Sequence, residues 1–168
     1  MRALIRFMTD ITPLLAALSS PGIKTRKEAA VQLGRTRDPA AVLPLVQALS
    51  DAHPAVRTEV ALALGKLDDE RAVPGLIATL TDTDDQVRGA VIAALGRLKD
   101  RRAVIPLTAC LTDNSDRIRA GAAEVLGRLG DPRAANALAA TRTDPFEEVR
   151  EAAARALDRI HRKRPAGP

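Results

Sequence analysis

The stretch VRTEVALALGKLDDERAVPGL, which begins at Val56, returns thirty-one residues later as VRGAVIAALGRLKDRRAVIPL, beginning at Val87. Arg26, Arg57, Arg88, Arg119 and Arg150 keep the same step of 31, as do Gly34, Gly65, Gly96 and Gly127, with Asp158 in the fifth place. Leu18, Leu49, Leu80 and Leu111 form another such series, and Asp51, Asp82, Asp113 and Asp144 a fourth. No insertion breaks the frame. A unit this short cannot bury its own apolar stripe, so the copies must stack and cover one another. Five units are readable, approximately 8–38, 39–69, 70–100, 101–131 and 132–162, in one domain over 1–162 with a basic, Pro/Gly-containing tail at 163–168.

Each unit reads as two helices. In the second unit Asp38 can cap the first helix and Pro39 suits its first position. Val42, Leu45, Val46 and Leu49 then make one apolar face up to about residue 49. Pro44 falls inside, with Pro13 and Pro106 at its register and Pro74 one place earlier, so a kink is expected there. The second helix is expected over Pro54–Leu67, with Val56, Val60, Ala63, Leu64 and Leu67 buried and the register of His53, Asp84 and Ser115 as its cap. Gly65 lies inside that helix at a cost of about 1 kcal/mol relative to Ala. A glycine that recurs there points to close approach by a neighbouring backbone. The end units look like caps: Thr25 and Ser20 in unit one, and Asn136 and Arg142 in unit five, stand where other units carry different residues.

Composition agrees with this architecture. The 168 residues are 46% hydrophobic and 28% charged, which favours a folded chain over a disordered one, and they contain two Phe but no Trp or Tyr. Small apolar side chains fill a core only if backbones approach closely. The formal charge is +5, but Arg159, Arg162, Lys163 and Arg164 supply most of it, leaving a nearly neutral body. A single cysteine, Cys110, cannot close an intramolecular disulfide. Arg2 and Arg6 precede an apolar stretch as in a signal peptide, but Thr9, Asp10 and Thr12 interrupt it. With no run approaching the ~18 apolar residues of a membrane span, a cytoplasmic monomer is expected.

The pattern VR..A..ALG.L.D.RAV.PL...L.D resembles the HEAT-like repeats named after the phycobilisome lyases, and designed consensus proteins derived from them, over about residues 9–160. The resemblance implies an all-α, right-handed, armadillo-like α-solenoid. It also implies a ladder between units, mapped onto Asp51–Arg57, Asp82–Arg88, Asp113–Arg119 and Asp144–Arg150. Unit one offers Ser20 to Arg26, so the ladder is expected to be weaker there. Arginine suits the role because its planar fork satisfies a carboxylate and turn carbonyls together. The resemblance further implies that the second helices line a concave face that holds partners.

Subtracting the buried stripe and the ladder leaves one outward face on the second helices. Unit two contributes Ala55, Thr58, Glu59, Leu62 and Lys66; unit three Gln86, Gly89, Ala90, Ala93 and Arg97; unit four Arg117, Ala120, Gly121, Glu124 and Arg128. Lys27, Glu28 and Val31 flank it on one side, and Glu151 and Arg155 on the other. A trough with Gly and Ala at its centre would admit a helix or extended segment. The row Arg35, Lys66, Arg97, Arg128 and Arg159 could meet an acidic partner or phosphates, though cations at helix C-termini also suit the helix dipole.

Nothing in the sequence composes an active site. His53 and His161 have no adjacent Glu, whereas a di-iron hydroxylase family with similar repeats uses His-Glu pairs. Cys110 has no His in the repeat register, and neither a phosphate loop nor a metal-ligand cluster appears. No cofactor is expected. A non-catalytic protein-binding module or scaffold is the leading expectation. A bilin lyase-type subunit or pigment-protein assembly factor is the alternative that the resemblance allows. Nucleic-acid binding through the basic row and tail is a third, disfavoured because aromatic stacking platforms are missing.

Overall fold

In the computed structural model residues 10–163 are described; the leader-like residues 1–9 and the tail from 164 onward lie outside them. Among the described residues there are ten α-helices and no strand. The shorter helix of each unit comes first: α1 (Thr12–Ala17), α3 (Val42–Ala48), α5 (Val73–Ala78), α7 (Val104–Ala109) and α9 (Ala135–Thr141). The longer follows: α2 (Ile23–Thr36), α4 (Pro54–Leu67), α6 (Asp85–Leu98), α8 (Asp116–Leu129) and α10 (Glu147–Lys163). Each second helix packs on its own first helix and on the second helices of neighbouring units, which makes a two-layer α-solenoid. Leu45, Leu76, Leu107 and Leu138 fill the core from the first layer, and Leu33, Leu64, Leu95 and Leu126 from the second, all fully buried. Each such leucine contributes about 1.5–3 kcal/mol.

The first helices do not run unbroken from residue 39 to 49 with a proline kink. A 3-10 turn comes first (Pro39–Ala41, Glu70–Ala72, Arg101–Ala103 and Pro132–Ala134) and the α-helix follows. Asp38, Asp69, Asp100 and Asp131 cap these turns, their carboxylates accepting from the amides of Ala40, Arg71, Arg102 and Arg133. Pro44, Pro74 and Pro106 therefore sit in the first turn of the α-helical part, where a missing amide matters least. Unit five has Ala137 at the register of Pro44 and shows the same junction, so the capped turn causes it, not the proline. At the second helices, His53 Nδ1 accepts from the Ala55 amide and Asp84 from Gln86 and Val87. Ser115, expected to cap likewise, makes no such bond.

Spacing within the second layer is set by the recurring glycine. A Cβ on Gly34, Gly65 or Gly127 would come within 2.8, 2.9 and 2.7 Å of the Cα of Ala63, Ala94 and Ala156. Glycine is required here by the neighbouring backbone, not by its own dihedral angles. In unit five Asp158 takes this register and is exposed, so α10 presents a charge where the inner helices present a close-packing surface.

The arginine ladder runs forward, one unit on from the pairing expected. Arg57 donates from Nε and Nη2 to Asp82 at 2.7 and 2.8 Å, and from Nη1 to the carbonyl of Asp51 at 2.9 Å. Arg88 reaches Asp113 and Arg119 reaches Asp144 in the same way. Each aspartate thus serves its own unit's arginine through its backbone and the preceding unit's through its carboxylate, which also accepts an amide two residues on, as His53 donates to Asp51. Unit one is consequently not the weak end. Arg26 forks onto Asp51 at 2.6 and 3.0 Å, and Ser20 need supply only a carbonyl. The arginine that holds carbonyls alone is Arg150, on Asp144 and Pro145. Phe146 lays its ring 5.5 Å from the Arg119 guanidinium and shelters the last carboxylate pair.

A second ladder occupies the opposite end of the units. Arg71, Arg102 and Arg133 each pair with the capping aspartate two residues earlier and reach a carbonyl 32 residues back, on Pro39, Glu70 and Arg101. Asp131 is buried and takes both Arg133 and Arg101; the Arg133 bond foremost holds its carboxyl far below the usual carboxylate range. These arginines also recur every 31 residues, a signal the sequence reading left unused.

Two outcomes follow from this packing. Gly65→Ala should lower unfolding free energy by about 1–3 kcal/mol in denaturant titrations, because the neighbouring Cα has no room to retreat. Asp51, Asp82 and Asp144 titrate below the usual carboxylate range, chiefly through the arginine bonds. A depressed folded value stabilises above the unfolded value and is lost as pH falls through the folded one. Melting temperature should therefore hold from pH 8 to about 5 and fall progressively below about pH 4. Asp82→Asn keeps the turn acceptor but loses the charged fork; it should cost about 2–3 kcal/mol at pH 7 and flatten the acid slope.

Candidate functional site

The outward face of the second helices is mostly open, as follows from a stripe of residues four and three apart on one helix side. Glu28, Lys66, Gln86, Ala93, Arg97, Arg117, Glu124, Arg128, Glu151 and Arg155 are exposed. Lys27, Val31, Ala55, Thr58, Glu59, Leu62, Gly89 and Gly121 are half-buried. Ala90 and Ala120, expected at the centre of the trough, are buried at 8% and 7% exposure, because their short methyl groups sink into the core between helices. Thr58 donates its hydroxyl to the Pro54 carbonyl of its own helix. Toward the ends Glu151 pairs with Arg155, and Glu28 lies 3.9 Å from Lys24, so these charges are partly spent within one helix.

The face is not uniform, and the interface between units three and four is where it differs. At the register of Ala63, Ala94 and Ala156, α8 carries Val125. A Cβ on Gly96 would meet the Val125 methyl carbons at 2.9 and 3.2 Å and Arg128 Nη2 at 2.9 Å, where the other glycines face a backbone Cα. Valine's bulk thus stands between α6 and α8 and holds their backbones further apart. Two further core positions are enlarged at this junction: Ile92 stands at an alanine register and Ile118 at a valine register. Two outer positions are emptied, Gly89 and Gly121. A Cβ on Gly121 would meet nothing within 4 Å, and one on Gly89 only the Ile118 methyl at 3.6 Å.

Wedging below and emptying above leave a cleft of about 400 Å³ between α6 and α8. Gly89 and Gly121 form its walls, Ile92 and Ile118 its apolar floor, and Gln86, Arg117, Asp85 and Ser115 its polar rim. Gln86, Gly89, Arg117 and Gly121 are residues expected on the face; Ile118 and Val125 hold the registers of Val56 and Ala63 in the expected buried stripe, and Ile92, at the register of Ala61, is expected on neither side. Their signal was departure from the repeat: bulk at positions the other units keep small. The cleft has room for an apolar group, and Arg117 and Gln86 bring hydrogen-bond donors to its rim.

Chemistry beyond binding finds little here. Cys110 is buried on the first-helix side and burial pushes its thiol up to about 11, so it is a packed residue without nucleophilic character at neutral pH. Among the described residues, no three His, Cys, Asp or Glu side chains converge as metal ligands would. No helix among them is long and apolar enough to cross a membrane.

A model of HEAT repeats matches residues 11–90 and 73–158, almost the whole described chain. The chain belongs to the HEAT repeat family. Among solved structures, this HEAT repeat protein is similar to a chain in the complex of CpcE and CpcF of phycocyanin lyase from Nostoc. They are 30% identical with a TM-score of 0.79, covering 97% of this chain and 69% of that one. An engineered protein is 26% identical with a TM-score of 0.66, over 91% of this chain and 80% of its own. A designed armadillo repeat protein in complex with a peptide shares the fold at 20% identity and a TM-score of 0.71, over 89% and 81%. No curated protein matches the chain.

If Val125 holds the cleft open, Val125→Ala should let α8 settle toward α6, to the closer end of the ordinary 8–10 Å helix spacing, about 8 Å. A crystal structure of the variant should show the cleft largely closed. Gly121→Ala, with open space and a better helix former, should instead raise unfolding free energy by about 0.5–1 kcal/mol.

Proposed function

We propose that this HEAT repeat protein is a non-catalytic scaffold that holds a partner polypeptide along the second-helix face. An apolar side chain of the partner seats in the cleft between α6 and α8. The observation that carries this reading is the cleft itself. A solenoid needs only spacing and burial to stand, and the same junction made with alanine would satisfy both. The third and fourth units depart from that solution by enlarging Val125, Ile92 and Ile118 while emptying Gly89 and Gly121. Small residues at the walls let a partner backbone come close, and Ala93 and Leu62 continue an uncluttered surface on the α6 side. A cytoplasmic monomer engaging one partner chain is the form we propose.

Gly121→Trp fills the cleft without disturbing the core, and Ala93→Arg obstructs the neighbouring face. In cross-linked pull-downs both variants should lose one and the same partner that the wild type retains, with helicity and melting unchanged. Retention of every wild-type partner by both would overturn the reading.

A second reading rests on the 30% identity to the phycocyanin lyase chain. Under it the protein is a subunit of a bilin-handling complex and acts with a second chain. Titration with a free bilin separates the two: an absorbance shift that Gly121→Trp abolishes favours pigment handling, and an unshifted spectrum at excess protein removes it.

A further inference from the structure

The C-terminal ends of the second helices carry a basic recess of about 550 Å³. Arg37, Lys66, Arg97, Lys99 and Arg128 line it, with Asp68 as the acidic residue among them. Helix-end cations have an ordinary explanation in the helix dipole, and Arg97 partly follows it, donating from Nε to the Gly65 carbonyl at 3.2 Å. Two observations go beyond that explanation. First, the arginines of both ladders up to Arg133 have carboxylate partners, whereas Arg37, Lys66, Arg97 and Lys99 have none within ion-pairing distance among the described residues. Second, Arg37, Asp68 and Lys99 hold φ of 54°, 55° and 53° at one register, in the left-handed region where a side chain is strained, and two of the three are cations. Unit four solves the same helix end with Gly130. The stack would stand as well with glycine at 37, 68 and 99, so charged side chains are kept there against local strain, and those of Arg37 and Lys99 give the recess its sign.

We propose that this recess receives the acidic side chains of the partner polypeptide whose apolar residue occupies the α6–α8 cleft, a proposal that rests on the reading of that cleft as the anchor. The two features share a helix face. Gly89 and Arg97 both lie on α6, eight residues apart, a distance of about 12 Å at ~1.5 Å per residue. Ala93 lies midway and exposed, so no large side chain of α6 stands between them. An extended peptide covers that distance in about four residues at ~3.3 Å each. The recognised segment is therefore an apolar residue with acidic residues about four positions away. A nucleic-acid backbone fits less well, because no aromatic side chain lines the recess to stack a base.

Four fluorescein-labelled peptides test this: a leucine joined through Gly-Ser-Gly to four glutamates, the reversed order, the tetraglutamate without leucine, and the leucine peptide with four lysines. Fluorescence anisotropy at 50 and 300 mM salt reads their binding to the full chain. One of the two leucine–glutamate orders should bind, at least tenfold more weakly at the higher salt, and the lysine peptide should not. The double variant Arg37→Gly, Lys99→Gly should melt at the same or a higher temperature, since both sites favour glycine, yet bind at least tenfold more weakly. Unchanged binding by that variant, or no binding of either leucine–glutamate peptide, overturns the proposal. If Gly121→Trp weakens the peptide while the glycine pair does not, the cleft stands and the acidic recess falls. If tetraglutamate alone binds as tightly as the leucine peptides, the recess stands and its link to the cleft is overturned. A single-stranded oligonucleotide of equal charge that displaces the peptide at lower concentration makes the recess a phosphate site and likewise overturns it.

Discussion

The contact between a glycine on one second helix and an alanine Cα on the next governs the whole stack. It brings backbones close enough for a core mainly of Leu, Val and Ala, with no aromatic ring buried among the described residues, to reach the density of an ordinary interior. Everything else adjusts to that spacing. The ladder arginines fit because the next unit's aspartate arrives at a fixed place, and the leucine rows interlock because their period equals the unit. When one partner of the contact changes, as alanine does to valine at 125, the change cannot be absorbed locally. It appears as a gap on the outer surface, since the two helices are levered on their shared core.

Two arginine ladders hold opposite ends of the units, and they differ in burial and direction. The ladder on Asp51, Asp82, Asp113 and Asp144 is largely shielded and points forward; that on Asp69, Asp100 and Asp131 uses more exposed arginines and points back. Between them a unit is tied to both neighbours through charged forks on backbone carbonyls and carboxylates at once. Bonds of this kind are stronger than neutral ones and fix orientation as well as distance. They also use side chains that could otherwise have bound a ligand. A repeat protein of this kind divides its polar residues between those that define the stack and those left over.

That division explains what could be read from sequence. The helices, their two layers and the meaning of Gly65 follow from periodicity, because each copy confirms the others. The direction of the ladder did not follow: in sequence Asp51 lies six residues from Arg57 and Asp82 twenty-five, and only the turn geometry shows that the nearer aspartate offers its carbonyl and the farther its carboxylate. The 3-10 entry to the first helices of units two to five was hidden by the prolines, which point to a kink instead. On the outer face, Gly89, Gly121, Gln86 and Arg117 were recognisable as outward-facing. Ala90 and Ala120 were misplaced because helical periodicity assigns a direction and says nothing of how far a side chain must project to clear its neighbours.

The residues that shape the cleft from below were missed for a different reason. Val125 and Ile118 are apolar and belong to the registers of the buried stripe, and Ile92 lies at the register of Ala61 between that stripe and the outer face, so separating core from surface gives none of them a role at the surface. Their effect is on shape, transmitted through the spacing of two helices to a surface none of them dominates. In a stack of near-copies the structural requirement is the same at every junction, and whatever one junction does differently is not explained by the requirement to stack. Positions that grow in the core while their outer neighbours shrink are therefore informative together where each is unremarkable alone. The pairing of Val125 with Gly121, four residues apart on one helix, places the origin of the cleft and its open wall on adjacent turns of α8.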